Sequence, residues 1–228
     1  MLKTVFVPIH PAGWPFISLF AGMTALITWF MPPLGFLGLL LTAWCTYFFR
    51  DPPRTTPDRK GLLISPADGI IQSIVQAPPP PELDMGIEPR TRIAVFMNVF
   101  NVHVNRIPIN GTITAAVYRP GKFLNASLDK ASEQNERQSL KVKTEEGKEV
   151  AFVQIAGLVA RRILCYCNVG DQVHTGDRFG LIRFGSRVDV YLPSGVNPAV
   201  IEGQVAIAGE TILADLISPE LPRHGEKR

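Results

Sequence analysis

The chain has 228 residues, 46% of them hydrophobic, with a formal net charge of +3. That apolar content excludes a disordered chain, and the 23 Lys and Arg and 20 Asp and Glu exclude a polytopic carrier. The charge is unevenly spread: only Lys3 and Arg50 fall within the first fifty residues, and without them the remainder is nearly neutral, with no basic run or reading motif for nucleic acid.

From residue 4 to residue 49 there is no Asp, Glu, Lys or Arg. Pro32-Pro33 divides this run into halves of about 17 residues, each ~26 Å as a helix and barely enough to cross hydrocarbon. Residues 1–50 are therefore expected to form a membrane-associated helical hairpin. A secretory signal would be shorter and would end at a small-residue cleavage site; a buried helical pair is the alternative. Trp14, Trp29, Trp44 and Tyr47 near the ends of the halves suit a membrane interface. Lys3 on one side and Arg50, Arg54, Arg59 and Lys60 on the other place both ends on the cytoplasmic face of the cell membrane. Those four basic residues serve orientation or attract anionic lipid. Residues 51–60, opening Asp51-Pro-Pro-Arg, read as a proline-stiffened linker.

Beyond it, residues 61–228 show short β-like runs separated by turn signals. The runs are 62–65, 69–77, 92–99, 112–118, 140–143, 150–155, 159–166, 178–184, 187–192 and 204–207. Only 126–138 has a helical look. The expected fold is mainly β, two packed or curled sheets resembling a barrel-sandwich, behind the apolar hairpin. A weak internal echo pairs Gly170 and Gly176 with Gly203 and Gly209, as in two similar strand-connecting turns. Three cysteines exclude a disulfide framework. Cys165-x-Cys167 has no second pair and only His174 nearby, so two small thiols are preferred to a metal site.

Four segments hold residue types that do chemistry. Ser65-Pro-Ala-Asp68-Gly69 sets an acid in a turn, which alone reads as an ordinary Asp-Gly turn. His103 lies in a largely apolar run, where a hydrogen-bonded core histidine is the commoner reading. Tyr118-Arg-Pro-Gly121 and Asn135-Glu-Arg137 read as a turn and a polar surface segment. Phe184-Gly185-Ser186 sits between two strand-like runs, where Gly-Ser is ordinarily a hairpin turn.

Taken in order, however, these segments resemble one family throughout: the phosphatidylserine decarboxylase proenzymes of the short bacterial or archaeal type. The likeness extends over the apolar hairpin, Arg50-Asp-Pro-Pro, Ser65 to Gly69, the His103 segment ending Pro108-Ile-Asn-Gly111, Tyr118-x-Pro-Gly121, Asn135-Glu-Arg137 and Phe184-Gly185-Ser186. It implies that the chain cuts itself between Gly185 and Ser186 into large (1–185) and small (186–228) subunits. The serine hydroxyl attacks the preceding carbonyl to give an ester, elimination leaves dehydroalanine, and hydrolysis yields a pyruvoyl group and ammonia. The resemblance further implies that the amino group of phosphatidylserine forms a Schiff base with this ketone, which serves as an electron sink with neither metal nor pyridoxal phosphate. Phosphatidylethanolamine and carbon dioxide are the implied products. Ser186 is then the source of the prosthetic group, His103 the acid/base and Asp68 an aid to self-processing.

Longer bacterial members carry His-x-x-His where this chain has His103-Val-Asn-Arg106, and arginine cannot act as a general base. Either His103 serves both steps, or Asp68 acts with a water, or Arg106 only stabilises charge, such as the substrate carboxylate or phosphate. The expected partners are phosphatidylserine and the membrane surface; a homo-oligomer is compatible with the sequence and nucleic acid is not expected. Two other classes fit the same residues: a membrane-anchored Ser/His/Asp hydrolase, although Gly185-Ser186 lacks the G-x-S-x-G elbow, and a non-enzymatic membrane-tethered β module.

Overall fold

The computed structural model describes residues 7–126, 134–157, 162–183 and 186–226. A 3-10 turn, Pro11–Gly13, leads into α1 (Trp14–Phe30), and α2 (Pro32–Phe48) returns antiparallel to it. Met31 breaks the helical backbone, and the two prolines then occupy the first turn of α2, where no N–H is needed. The two helices meet through small residues. A Cβ on Gly35 would lie 2.2 Å from Thr28 Oγ1, and one on Gly38 would lie 2.7 Å from Thr24 Oγ1. Large apolar side chains such as Leu26, Trp29, Phe36 and Leu39 face outward. Residues 11–30 are long and apolar enough to cross a membrane, by length and composition.

The rest of the described chain is antiparallel β. Its strands are β1 (Leu62–Ile64), β2 (Gly69–Ala77), β3 (Arg90–Met97), β4 (Val104–Arg106), β5 (Gly111–Arg119), β6 (Arg137–Lys143) and β7 (Glu149–Ala156). They continue with β8 (Ile163–Cys165), β9 (Gln172–Val173), β10 (Arg178–Ile182), β11 (Ser186–Tyr191), β12 (Val205–Ala206) and β13 (Ile212–Asp215). One curled sheet runs β12-β2-β3-β11-β7-β6-β5-β9, a second β4-β10-β8, and a third β1-β13. The mainly β expectation therefore holds, with three sheets. Strand β11 lies inside the large sheet, paired along its length with β3 and β7. Its buried Val188 and Val190 join the main core with Val95, Phe152 and Phe179.

Several local readings need correction. Residues 137 and 138, read as possibly helical, pair with Ile155 and Gln154 as strand; 127–133 lie outside the described residues, as do 159–161 of the run at 159–166. The run 92–99 ends early because Asn98 and Asn101 build a turn: Asn98 Oδ1 accepts from the Phe100 amide at 2.8 Å and Asn101 Oδ1 from the Asn98 amide at 2.9 Å. His103 consequently precedes β4 rather than lying within a strand. The echo is structural: Gly170, Gly176, Gly203 and Gly209 all take positive φ, between 78° and 97°.

Residues 51–60 have no regular structure, yet they are fastened to the β domain. Asp51 accepts from Arg178 at 2.6 Å, Arg54 pairs with Asp68, Arg59 with Asp215 at 2.6 Å, and Lys60 with Glu146 at 2.6 Å. Three of the four basic residues after the hairpin therefore have acidic partners. The fourth, Arg50, stacks on Tyr47 and donates to the Phe100 carbonyl. The foot of the hairpin is equally bound: Cys45, Phe48 and Phe49 bury themselves against Val102, Val104 and Leu181.

Candidate active site

Ser186 opens β11, opposite Met97 at the end of β3 and Ala156 at the end of β7. By strand alternation its side chain shares the inner face with Val188. It is fully buried, and its Oγ has no hydrogen-bond partner among the described residues. Phe184 and Gly185 lie outside them.

His103 is reached from the same strand end, through the turn that follows Met97. Its backbone carbonyl accepts from the Ile182 amide at 3.3 Å, four residues before Ser186. The ring is fully buried, and Nδ1 lies 3.0 Å from the Asn101 carbonyl. A carbonyl only accepts, so Nδ1 carries the proton and Nε2 presents a bare lone pair. Nε2 has no partner. Burial, with a smaller push from Arg50 and against the Asn101 hydrogen bond, lowers the imidazole pKa to about 4. At neutral pH the ring is an uncharged base.

Two residues absent from the sequence-level site complete this region. Asn105, fully buried, donates to the Pro66 carbonyl (3.4 Å), approaches Met97 Sδ (3.8 Å) and accepts from Gln154 Nε2 at 2.8 Å. Gln154 lies opposite Val188 in the sheet, on the face that holds Ser186, and its Oε1 is a further buried acceptor without a partner. The spacing His103-x-Asn105 in a strand was the one available signal for Asn105; nothing local marks Gln154, 49 residues away.

The turn at Asp68-Gly69 reaches the same end. A Cβ on Gly69 would lie 2.1 Å from the Phe96 carbonyl, so the close approach requires glycine. Asp68 itself points elsewhere: Arg54 Nη2 donates to both its oxygens (3.0 and 2.7 Å) and the Ala208 amide to Oδ1 (2.8 Å). Burial outweighs these partners and raises its pKa. Arg106 is also engaged, donating to the carbonyls of Gly176 (2.8 Å) and Pro52 (3.0 Å), with Asp51 at 3.5 Å. The Tyr118–Gly121 and Asn135–Arg137 segments serve as scaffold. Asn135 donates to Leu124 and Ala156 carbonyls at 2.7 Å, and the Ala156 amide donates to Glu136 at 2.9 Å, holding the strand end beside Ser186.

All four singled-out segments thus converge on one end of the large sheet, with Ser186 Oγ and His103 Nε2 unpartnered among the described residues and Asp68 and Arg106 turned into ion pairs. The phosphatidylserine decarboxylase family profile matches residues 41–214. The phosphatidylserine decarboxylase proenzyme of Cereibacter sphaeroides is 59% identical over 228 residues, all of this chain and 98% of that protein. The proenzyme of Paramagnetospirillum magneticum is 60% identical over all of this chain and 95% of its own, and that of Ruegeria pomeroyi 58% identical over 95% and 99%. The chain is an enzyme of the carboxy-lyase class. It belongs, within that class, to the phosphatidylserine decarboxylase family.

Proposed function

We propose that the chain decarboxylates phosphatidylserine to phosphatidylethanolamine after cutting itself between Gly185 and Ser186, using a pyruvoyl group made from Ser186. The observation that carries this reading is the pair of fully buried, unpartnered atoms Ser186 Oγ and His103 Nε2 at one strand end. A buried polar atom left unpaired costs about 1–3 kcal/mol, and such atoms concentrate where they are used. The description of close relatives as proenzymes supports the processing step.

His103 Nε2 takes the proton of the Ser186 hydroxyl as Oγ attacks the Gly185 carbonyl. With its pKa lowered to about 4, the imidazolium gives that proton up readily to the Ser186 nitrogen as the Gly185–Ser186 amide C–N bond breaks and the ester to Oγ forms, and it also suits a donor to the substrate carbon during turnover. Of the three alternatives for the missing second histidine, the geometry favours His103 in both steps. Asp68 is held by Arg54 and Ala208, and Arg106 by Gly176, Pro52 and Asp51. Asp68 then acts on self-processing by fixing the turn that packs against Phe96. Once formed at residue 186, the pyruvoyl ketone supplies the electron sink that a decarboxylation needs. Its precursor Ser186 is fully buried at the start of β11, between β3 and β7. The hairpin with outward apolar side chains supports a bilayer location, and Lys3 and Arg50 support its cytoplasmic face.

A denaturing gel tests the reading. The native protein is expected to run as chains of 185 and 43 residues. Ser186→Ala is expected to run as one chain without decarboxylase activity. Turnover by purified, uncleaved Ser186→Ala would contradict the mechanism, and a single intact native chain acylated by a serine-directed probe would favour a hydrolase.

A further inference from the structure

Phe48, the last residue of α2, lies over the His103 ring with centroids 4.2 Å apart and planes inclined by 31°. Both residues are completely buried. Phe48 belongs to the cluster in which Cys45 and Phe49 of the hairpin foot pack on Val102, Val104 and Leu181, the neighbours of His103 on β4 and β10. The imidazole is therefore enclosed by the membrane hairpin on one side and by the β domain on the other. The tip after β3 offers it the Asn101 carbonyl, and β10 the Ile182 amide to the His103 backbone. Among the described residues, Arg50 at the hairpin foot is the charged group that acts on it.

We propose that Phe48 is a positioning residue for His103, holding the imidazole dry and its Nδ1–H on the Asn101 carbonyl, so that the hairpin is a working part of the acid/base site as well as an anchor. The inference rests on the reading of His103 as the acid/base. An aromatic ring at this distance excludes water from one whole face of the imidazole, and an aliphatic side chain of smaller area does not. Water admitted there solvates the imidazolium and makes the ring easier to protonate. The sequence gives no hint of this, since Phe48 is one apolar residue among many in an apolar helix.

The test uses full-length, cleaved enzyme in detergent micelles containing phosphatidylserine. Histidine labelled with nitrogen-15 follows ring protonation by NMR, the His103 signal being the one left when His10, His174 and His224 are replaced by Gln, and kcat/KM is measured across pH in parallel. Phe48→Leu is expected to raise the pH at which His103 protonates by about one unit and to move the acid limb of kcat/KM with it. Phe48→Tyr, which keeps the ring, is expected to leave both in place. Phe152→Leu, which removes an equally buried ring from the main core, is expected to leave them in place too. If Phe48→Leu does not accumulate, Phe48→Met fills similar volume without a ring and is judged by the same shift. An unmoved His103 titration in the ring-less variant, with His103→Gln inactive, overturns the role of Phe48. Normal turnover by fully cleaved His103→Gln overturns instead the reading of His103 on which it rests.

Discussion

His103 and Arg187 flank the proposed chemistry in different ways, one a buried imidazole kept neutral and the other a buried arginine paired with an acid. An imidazole that ionises near 6.5 in the unfolded chain and near 4 in the folded one binds its proton more tightly when unfolded. Its contribution to stability is therefore complete above pH 6.5 and declines as pH falls towards 4. Denaturant titrations are expected to show a loss on the order of 3 kcal/mol across that window, abolished in His103→Gln; an unchanged slope in the variant would place the pH dependence elsewhere. Arg187, next to Ser186 and fully buried, pairs with Asp189 at 2.8 Å and donates to the Ala126 carbonyl at 3.2 Å. Arg187→Met takes this pairing from the buried Asp189 carboxylate, leaving Arg92 3.9 Å away, and is expected to destabilise the protein by about 3–5 kcal/mol in the same titration. Ser186, His103 and Asp68 were legible in the sequence only through the order of their segments and the family likeness, since each alone reads as an ordinary turn or core residue. The Arg54–Asp68 and Arg106–Asp51 pairs were not, because a proline-rich stretch of alternating charge looks like a linker until it is seen docked.

At the level of elements, the hairpin was the most legible part of the chain: a charge-free run cut by Pro32-Pro33 leaves few other structures. The long strands were legible as well, and 69–77 coincides with β2. Strands β4, β9 and β13, of two to four residues, are too short to display a period, and they form only because longer neighbours supply their hydrogen bonds. Helix contact in the hairpin depends on glycines that sequence alone leaves equivalent. A Cβ on Gly38 collides with Thr24, whereas one on Gly22 meets nothing within 4 Å. All three tryptophans, Trp14, Trp29 and Trp44, lie in the hairpin, so their fluorescence reports on it. Gly38→Ala is expected to cost about 1–3 kcal/mol by overpacking, while Gly22→Ala is expected to be neutral or stabilising by up to about 1 kcal/mol. Equal behaviour of the two would deny a close helix–helix contact.

For the whole molecule, cleavage between Gly185 and Ser186 would divide the sequence without dividing the fold. The small chain contributes β11, β12 and β13, and each pairs with strands from the large one: β11 with β3 and β7, β12 with β2, and β13 with β1. The two chains are therefore expected to migrate together in native size measurements at any dilution and to part only in denaturant. Release of the small chain in native buffer would contradict this arrangement. The hairpin, fixed to the same body at Phe48 and by Asp51 and Arg178, would on the proposed reading hold the start of β11 at a constant position relative to a bilayer.

The central claim, a keto group made from Ser186, is tested most directly by the intact mass of the small chain from active enzyme. Residues 186–228 are expected to weigh less than their sequence with a free seryl terminus by one ammonia, and to gain the mass of a hydride-reduced adduct when borohydride is added in the presence of an amine. An unreactive small chain of full seryl mass in a preparation that turns over phosphatidylserine would contradict the account.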